Sequence, residues 1–308
     1  MKSIRLILHG KSSDEPELRD AVAELRNHGH DVSVRVTWEA GDAARFAREA
    51  VADGISVIVA GGGDGSLNEV VNGVMHGDTA DHCDVAVAVL PMGSANDFAA
   101  SCGIPEDPAS ALRFAAEGSA ALIDVGKANE RFFINVASGG FGAQVTATTP
   151  GELKRALGGV AYALMGFATV IRGHETRRVR IQSPEFACEE TLVMMAIGNG
   201  RQSGGGFSIT PNALLDDGLL DATFVRDFPT VEAAAVAREI SQPESEENQF
   251  VFALRSSRLT VESAEDDIEF FNLDGEPSPP FHTVRFEVRP RALKFVVPPA
   301  ASHLLSAP

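Results

Sequence analysis

The fold is decided by Gly61-Gly62-Gly63-Asp64-Gly65-Ser66-Leu67-Asn68-Glu69, a stretch that follows the apolar run 55–60. Four glycines within five residues are unfavourable inside a strand or a helix, because glycine loses the most backbone entropy on ordering. They predict instead a tight loop whose bare N–H groups can approach a polyanion. Apolar residues at helical spacing follow between 67 and 75. A strand, a glycine loop and a helix N-terminus in this order are typical of a phosphate-binding site.

Two better-known phosphate loops do not fit these residues. A dinucleotide fingerprint requires the spacing G-x-G-x-x-G, and its third glycine is replaced by Ser66 here. A P-loop requires a lysine after its last glycine, and no lysine or arginine occurs between Arg48 and Arg113. A ligand-free turn stays open, although one glycine suffices for such a turn. Asp64 adds a carboxylate where a nucleotide phosphate, or the Mg²⁺ bound to it, would lie.

The composition limits the function classes to be considered. The 308 residues are enough for two ordinary domains, and the formal net charge of −17 argues against nucleic acid as a partner. Cys83, Cys102 and Cys188 lack the spacing of metal ligands and indicate a reducing compartment. No apolar run approaches the ~18 residues that cross a bilayer, and the N-terminus reads as a strand. We therefore expect a soluble cytoplasmic protein.

One segment departs from the acidic balance of the chain. Residues 151–180 carry six cations and two carboxylates, which leaves a local charge of +4. A solvated helix face and strand would explain this pattern without a ligand, and a patch that contacts lipid headgroups or an anionic substrate is the alternative. The residues concerned are Lys154, Arg155, Arg172, Arg177, Arg178 and Arg180, with Glu152 and Glu175.

The first 125 residues alternate between strands and helices, which is typical of a parallel sheet covered by helices. Ligands of such sheets bind outside the carboxyl ends of the strands. The loops at 61–69 and 91–97 both follow strand ends, so we expect them to converge on one site. The predicted strands are 4–8, 32–36, 55–60, 85–90 and 122–125, and the predicted helices are 16–28, 42–51, 67–75 and 108–117.

From about residue 129 the pattern changes to short strands separated by loops rich in glycine, proline and acidic residues. This pattern predicts an antiparallel β-sandwich, with a helix at about 153–171, a shorter helix near 230–239 and a polar loop at 241–249. The predicted strands are 132–136, 177–181, 192–197, 219–225, 259–262, 268–272, 284–288 and 293–297.

Several motifs, taken together, resemble those of the diacylglycerol kinase catalytic-domain family. The Gly-Gly-Asp-Gly core alone is shared with NAD kinases and phosphofructokinases, so the specificity of the resemblance lies in the full set. The motifs occur in order over nearly the whole chain, at 61–73, 91–98, 139–142, 198–206, 212–219 and 272–276.

The resemblance implies an α/β plus β fold of two domains, with the active site in the cleft between them. A Rossmann-like nucleotide domain, similar to those of phosphofructokinases and NAD kinases, would span 1–128 and be joined by 290–308. An antiparallel β-sandwich that binds the lipid would span 129–289. The implied activity is transfer of the ATP γ-phosphate, with Mg²⁺, to a hydroxyl of a lipid such as phosphatidylglycerol or diacylglycerol. The enzyme would be cytoplasmic and would contact the inner membrane transiently during turnover.

The ATP site follows from the backbone argument for 61–66 and from the resemblance for the other positions. Ser66 and Ser94 replace threonines of the family and keep the hydroxyl, and Asp64 is expected to serve the Mg²⁺ of ATP together with Asp97. For Asn68 a helix N-cap, and for Glu69 a favourable charge in the first helical turn, remain equally good interpretations. The expected site comprises Thr37, Gly61, Gly62, Gly63, Asp64, Gly65, Ser66, Leu67, Asn68, Glu69, Ser94 and Asp97.

Two further turns acquire a role only through the resemblance. Residues 274–275 alone predict a β-turn with Glu276 exposed beside it, whereas the resemblance makes Glu276 the base that takes the proton of the lipid hydroxyl, with Asp64 as a second catalytic carboxylate. Residues 216–218 alone predict a hairpin turn. The resemblance makes Asp217 the ligand of a structural Mg²⁺, or of Ca²⁺, together with the carbonyls of Leu214 and Leu219.

Two other functions stay open at this point. A soluble-substrate kinase such as an NAD kinase shares the glycine core, but the extensions at 68–73 and 93–98 argue against it. A catalytically silent nucleotide-binding regulator would also keep the glycine loop. Every expected catalytic position nevertheless carries a suitable side chain, which favours an enzyme.

Overall fold

The computed structural model describes residues 1–12, 14–76, 84–140, 176–268 and 271–306. The helix expected at 153–171 and most of the basic segment 151–180 lie outside these residues. The described helices are α1 (Pro16–Asn27), α2 (Asp42–Ala52), α3 (Asp64–Val74), α4 (Asp97–Ser101), α5 (Pro108–Glu117) and α6 (Ala233–Ser241). The strands are β1 (Ser3–Leu8), β2 (Asp31–Val36), β3 (Val57–Gly62), β4 (Ala86–Pro91), β5 (Ala120–Ala128), β6 (Arg131–Phe133), β7 (Val136–Gly140), β8 (Arg177–Gln182), β9 (Ala187–Gly198), β10 (Gln202–Ser203), β11 (Phe207–Ser208), β12 (Leu220–Arg226), β13 (Val251–Ser256), β14 (Arg258–Ser263), β15 (Phe271–Leu273), β16 (Glu276–Pro277) and β17 (Thr283–Val296).

The N-terminal domain is built on parallel strands in the order β2-β1-β3-β4, and the last part of β17 adds a fifth parallel strand beside β4. Its strands are apolar on both faces because helices cover both faces. In β3, Val57 and Val59 pack in the cluster that contains α1 and α5. Ile58 and Ala60 pack in the cluster that contains α2 and α3. The expected parallel sheet is confirmed for β1 to β4. The inclusion of the predicted strand 122–125 in that sheet was wrong, because β5 pairs antiparallel with β17 and β6.

The glycine stretch is more ordered than the sequence predicted. We expected a loop across residues 61–65, but β3 continues through Gly62 and α3 begins at Asp64, so that Gly63 alone separates them. The strand is prolonged because Gly61 pairs with β1 and Gly62 pairs with Pro91 of β4. Hydrogen bonds to two neighbouring strands thus offset the backbone entropy that glycine loses. The result is an abrupt strand-to-helix junction.

The C-terminal domain is an antiparallel, sandwich-like arrangement, as expected. Its strands follow the order β16-β15-β7-β9-β8-β14-β17, and β12 pairs with both β9 and β13. One apolar core includes Phe133, Phe224 and Phe286, and a second lies under α6 around Val236 and Ile240. The prediction of a single strand at 132–136 was wrong, since β6 and β7 replace it.

Two long strands connect the domains. The sequence predicted separate strands at 284–288 and 293–297, but β17 runs without a break across both, with a register shift between Arg289 and Leu293. β17 pairs with β14 of the sandwich in its first part and with β4 of the parallel sheet in its last part. β5 pairs antiparallel to β17 along this length. The division into 1–128 with 290–308 and 129–289 stays a prediction. β17 crosses its boundary between 289 and 290, and β5 ends at its boundary at 128.

Candidate active site

The two loops expected to meet do converge at the carboxyl end of the parallel sheet. The N–H of Met92 donates to the carbonyl of Gly62 over 2.9 Å. A Cβ added to Gly63 would lie 3.2 Å from the Cα of Gly93, and one added to Gly93 would collide with Gly63. This approach requires glycine at 93 and leaves little room for a side chain at 63, and it brings the start of α3 beside the start of α4.

Asp64 connects these loops through its carboxylate. Its two oxygens accept the backbone N–H groups of Asp97, over 3.0 Å, and of Phe98, over 3.1 Å, at the start of α4. Burial, reinforced by the negative charge of Asp97, raises the pKa of Asp64 to about 6. A neighbouring carboxylate that disfavours the charge of Asp64 in this way suits the binding of a divalent cation, which would relieve the repulsion.

Asp97 joins the two domains. Its buried carboxylate accepts the N–H groups of Gly205 over 2.9 Å and of Gly206 over 2.6 Å, both in the C-terminal domain. Gly204, Gly205 and Gly206 all have positive φ values, from 69° to 91°, which L-residues rarely adopt. The loop can therefore present two consecutive N–H groups to one carboxylate.

A second contact between the two domains is made by Asp274, whose carboxylate is buried. It accepts the N–H groups of residues 134, 135 and 136 and the side-chain amide of Asn68, all over 2.8–3.0 Å. Burial raises the pKa of Asp274, and these four donors oppose the shift. Asn68 and Asn72 also bond the backbone of Phe132. The Asn68 side chain is thus engaged between α3 and the β-sandwich rather than in capping α3.

Glu276 belongs to the other domain and reaches the junction between β3 and α3 at residues 61–65, which we call the glycine junction. Its side chain is exposed, and its carboxylate lies directly against Gly65 in the first turn of α3. A Cβ on Gly65 would lie 2.7 Å from Glu276 Cδ and would collide with Oε1. The absence of a side chain at Gly65 is therefore what admits the carboxylate of Glu276.

These groups line a cavity of about 200 Å³ between the domains. Of the residues expected from the sequence, Gly63, Asp64, Gly65, Ser94, Asp97 and Glu276 line it. Gly61 and Gly62 end β3 behind the cavity, Ser66 lies over Gly62, and the Leu67 side chain is buried in the core.

Thr37 and Glu69 lie beside the neighbouring loop that follows β2. Thr37 Oγ1 accepts the N–H of Gly10 over 3.3 Å, and Glu69 accepts the N–H of Gly41 over 3.2 Å. Trp38, the one tryptophan of the chain, is 95 % exposed on this loop. Its position is held because Asp42 accepts the N–H of Trp38 over 2.8 Å.

The expected structural-cation turn lies beside a buried carboxylate on β5. Asp124 accepts the N–H groups of Gly218 and Arg291, each over 2.6 Å. Burial raises the pKa of Asp124, and the negative charge of Asp217 raises it further. Asp217 itself forms an ion pair with Arg255 and accepts the N–H of Leu219 over 3.0 Å. Within the described ranges, no three His, Cys, Asp or Glu side chains cluster closely enough to hold a metal.

Two structurally important carboxylates were missed by the sequence reasoning. Asp124 is the one charged residue of the predicted strand 122–125, and that isolation was a usable signal. Asp274 was interpreted as a turn residue, which its φ of 51° agrees with. Its buried network depends on residues 134–136 and Asn68, which are distant in sequence, so no local pattern could have revealed it.

Comparison with known proteins extends over both domains. Residues 3–128 match the diacylglycerol kinase catalytic domain, and residues 135–297 match the YegS C-terminal NAD kinase beta sandwich-like domain. A probable lipid kinase YegS-like protein of Shewanella frigidimarina is 45% identical over 305 residues, covering 99% of this chain and 96% of the relative. One from Pseudomonas aeruginosa is 43% identical, covering 99% and 97%. The crystal structure of a putative diacylglycerol kinase from Bacillus anthracis aligns with a TM-score of 0.80 at 27% identity, covering 97% of this chain and 96% of that chain.

Within the part of the chain that the structure describes, no helix is both long enough and apolar enough to span a bilayer.

Proposed function

The chain belongs to the diacylglycerol kinase catalytic-domain family, among its YegS-like lipid kinases, and on this premise we propose that it transfers the γ-phosphate of ATP to a lipid hydroxyl. Phosphatidylglycerol and diacylglycerol are the acceptors we propose. The observation that supports this proposal best is the carboxylate of Glu276 against Gly65, because a carboxylate can accept a proton and the backbone N–H groups of a helix N-terminus suit phosphate.

We propose that ATP binds with its phosphates at the N-terminus of α3, where free N–H groups and the helix dipole favour negative charge. The hydroxyl of Ser66 and that of Ser94 lie on the two converging loops and would add hydrogen bonds. Thr37 and Glu69, beside the loop that carries Trp38, would contact the remainder of the nucleotide. Asn68 would act on this site indirectly, by fixing α3 against the sandwich.

Mg²⁺ suits the carboxylates of Asp64 and Asp97, since it prefers oxygen ligands and neutralises phosphate charge during transfer. The Asp64 oxygens would coordinate the cation, either after releasing their N–H partners or while still accepting them. Asp97 would keep the glycine loop at 204–206 in place through its own two hydrogen bonds. The chain thus supplies one carboxylate on each converging loop.

In the proposed reaction Glu276 accepts the proton of the lipid hydroxyl as that oxygen bonds to the γ-phosphorus, and the bond from this phosphorus to the β–γ bridging oxygen breaks and releases ADP. The exposure of Glu276 allows the proton to pass to solvent after transfer. Asp64 and the N–H groups of α3 would hold the phosphate chain in line with the attacking oxygen. The four hydrogen bonds accepted by Asp274 would keep Glu276 at a fixed distance from the glycine junction.

A structural cation is proposed at the turn 214–219. The Asp217 carboxylate and the carbonyls of Leu214 and Leu219 are hard oxygen ligands that suit Mg²⁺ or Ca²⁺. Arg255 competes for Asp217, so the cation would have to displace Arg255 or bind the Asp217 carboxylate together with it. The proximity of Asp124 to Asp217 gives the site additional negative charge that favours a cation.

We further propose that the enzyme is cytoplasmic and contacts the inner membrane only during turnover, without any role for nucleic acid. The described part of the basic segment offers less free charge than the sequence suggested. Arg178 and Arg180 both pair with Glu189, each over 2.9 Å. Membrane contact by this segment would therefore depend on its other residues.

The proposed reaction is tested by incubating the protein with labelled ATP, Mg²⁺ and a panel of lipids in mixed micelles, alongside NAD and a sample without lipid. Labelled lipid is the expected product. Label on NAD would identify the soluble-substrate kinase, and ATP binding without any labelled product would identify a silent regulator. The E276Q variant should bind ATP and lose turnover, whereas E265Q, which changes an exposed carboxylate elsewhere, should keep it.

A further inference from the structure

A broad groove lies outside the catalytic cleft, on the outer face of the sandwich. It has a volume of about 760 Å³ and is formed by β5, β8, β14 and β17 with their adjoining turns. We call it the outer groove. Its volume lies within the range of small-molecule sites, about 300–1,000 Å³. The residues that matter for its chemistry are Lys127, Gln182, Arg258, Thr260, Arg285 and Glu287.

Strand alternation explains why this groove is polar. In β14 and β17, Leu259, Val261 and Phe286 point into the sandwich core. Residues directly opposite one another share a face of the sheet. Thr260 lies opposite Arg285. The same register aligns Arg258 with Glu287, which in turn lies opposite Lys127 of β5, so these side chains share the outer face.

The groove carries more positive than negative charge. Glu287 forms an ion pair with Arg289 over 3.1 Å, and Glu130 lies 3.7 Å from the ammonium of Lys127. Both carboxylates of the groove are therefore engaged. Among the residues that the structure describes, neither Arg258 nor Arg285 forms a salt bridge. The groove is lined by three cations and two carboxylates, which leaves one positive charge here, on a chain whose net charge is −17.

The donors of the groove match a phosphate group. Two guanidinium groups on adjacent strands can each give paired N–H bonds to phosphate oxygens. The Lys127 side chain is only 12 % exposed, which strengthens its attraction for an anion. The hydroxyl of Thr260 and the amide of Gln182, opposite each other in register, add neutral donors.

We propose that the outer groove is a second binding site, separate from the catalytic cleft, for a phosphate-bearing anion. The ligand would be held by Arg258 and Arg285, with Lys127 at its side. Such a ligand would bridge β5 and β17, the two strands that continue into the glycine-loop domain. The proposal depends on the charge and shape of this face and does not require the proposed reaction.

The test separates the groove from the cleft by following residues individually. Inorganic phosphate is titrated into isotope-labelled protein, and backbone N–H signals are monitored by transverse-relaxation-optimised NMR. We expect saturable shifts at 258–260 and 283–287 in the wild type and in R238Q, a matched loss of an exposed arginine on α6. The R258Q/R285Q variant should bind at least about tenfold more weakly, because two charge-assisted contacts are lost. R258K/R285K, which keeps the charge, should lie between them.

A second arm distinguishes the source of the phosphate. Sedimentation with phosphatidylglycerol vesicles, compared with phosphatidylcholine vesicles, is measured for the same variants. A loss of phosphatidylglycerol binding in R258Q/R285Q alone identifies a lipid headgroup. Unchanged vesicle binding together with weakened phosphate binding identifies a free phosphate compound. Phosphate shifts confined to the glycine junction, or equal phosphate affinity in R258Q/R285Q and the wild type, would overturn the proposal.

Discussion

Replacement of Gly65 by alanine should separate the activity of the protein from its stability. The added Cβ would collide with the Glu276 carboxylate and approach Cδ to 2.7 Å and Cγ to 3.0 Å. The obstructing atoms belong to the end of a flexible, exposed side chain, so Glu276 can rotate away without moving the backbone. Gly65 lies in the first turn of α3, where alanine is favoured over glycine by up to about 1 kcal/mol. We expect G65A to unfold at the same temperature as the wild type or at a higher one.

The activity should respond in the opposite direction. Displacement of a general base lowers turnover by roughly 10²- to 10⁴-fold. The assay is γ-phosphate transfer to micellar lipid, measured together with thermal unfolding and ATP affinity. If the loss acts through Glu276, then G65A should add little further loss in the E276Q background, since the two changes remove the same contribution.

Two outcomes would refute this reasoning. Turnover near the wild-type value in a folded G65A protein would show that Glu276 does not act from its place beside Gly65. Fully additive losses in G65A and E276Q would show that the two residues act independently. Lowered unfolding temperature would instead show that the contact stabilises the domain junction.

Three further substitutions test the hydrogen bonds of Asp274, the pKa of Asp64 and the cation site at Asp217. D274A should lower the free energy of unfolding, measured in urea, by at least about 3 kcal/mol, because four buried donors lose their acceptor. D266A, which removes an exposed carboxylate, should leave the free energy of unfolding unchanged. The pKa of Asp64 rises from 3.8 to about 6 on folding, so the folded protein binds this proton more tightly than the unfolded chain does. The wild-type melting temperature should therefore fall as the pH rises between these two values. The D64N variant should lack that decline. R255Q should free Asp217, and Mg²⁺ or Ca²⁺ should then raise the melting temperature more than in the wild type; equal shifts would contradict the cation site.

The sequence predicted those features that depend on local pattern. Helix α5 begins and ends at the predicted residues, Pro108 and Glu117, because a proline at its start and Gly118 after its end mark both boundaries. The convergence of the two loops followed from the rule that parallel strands end at one edge. The resemblance supplied Glu276, which a turn pattern alone would have left as an exposed residue.

Other features depended on partners that are distant in the chain. Gly61 and Gly62 extend β3 because β1 and β4 lie on either side of it, which the glycine content could not indicate. The interval at 289–292 resembles a break between strands, yet pairing with β5 carries β17 across it. The part played by Asp274 required knowledge of which backbone N–H groups surround it. In each case the tertiary environment outweighed the local preference.

The exposed Trp38 gives the protein a built-in optical reporter. It is the single tryptophan of the chain, so its fluorescence can be assigned without substitution. The loop that carries Trp38 also contains Gly41, whose N–H donates to Glu69. Glu69 lies on α3, the helix that begins at the glycine junction. A nucleotide that displaces this helix or covers the indole would change the emission intensity or wavelength. Titration of unlabelled ATP can therefore be followed in a fluorimeter, and stopped-flow mixing would give the rates of nucleotide entry and exit.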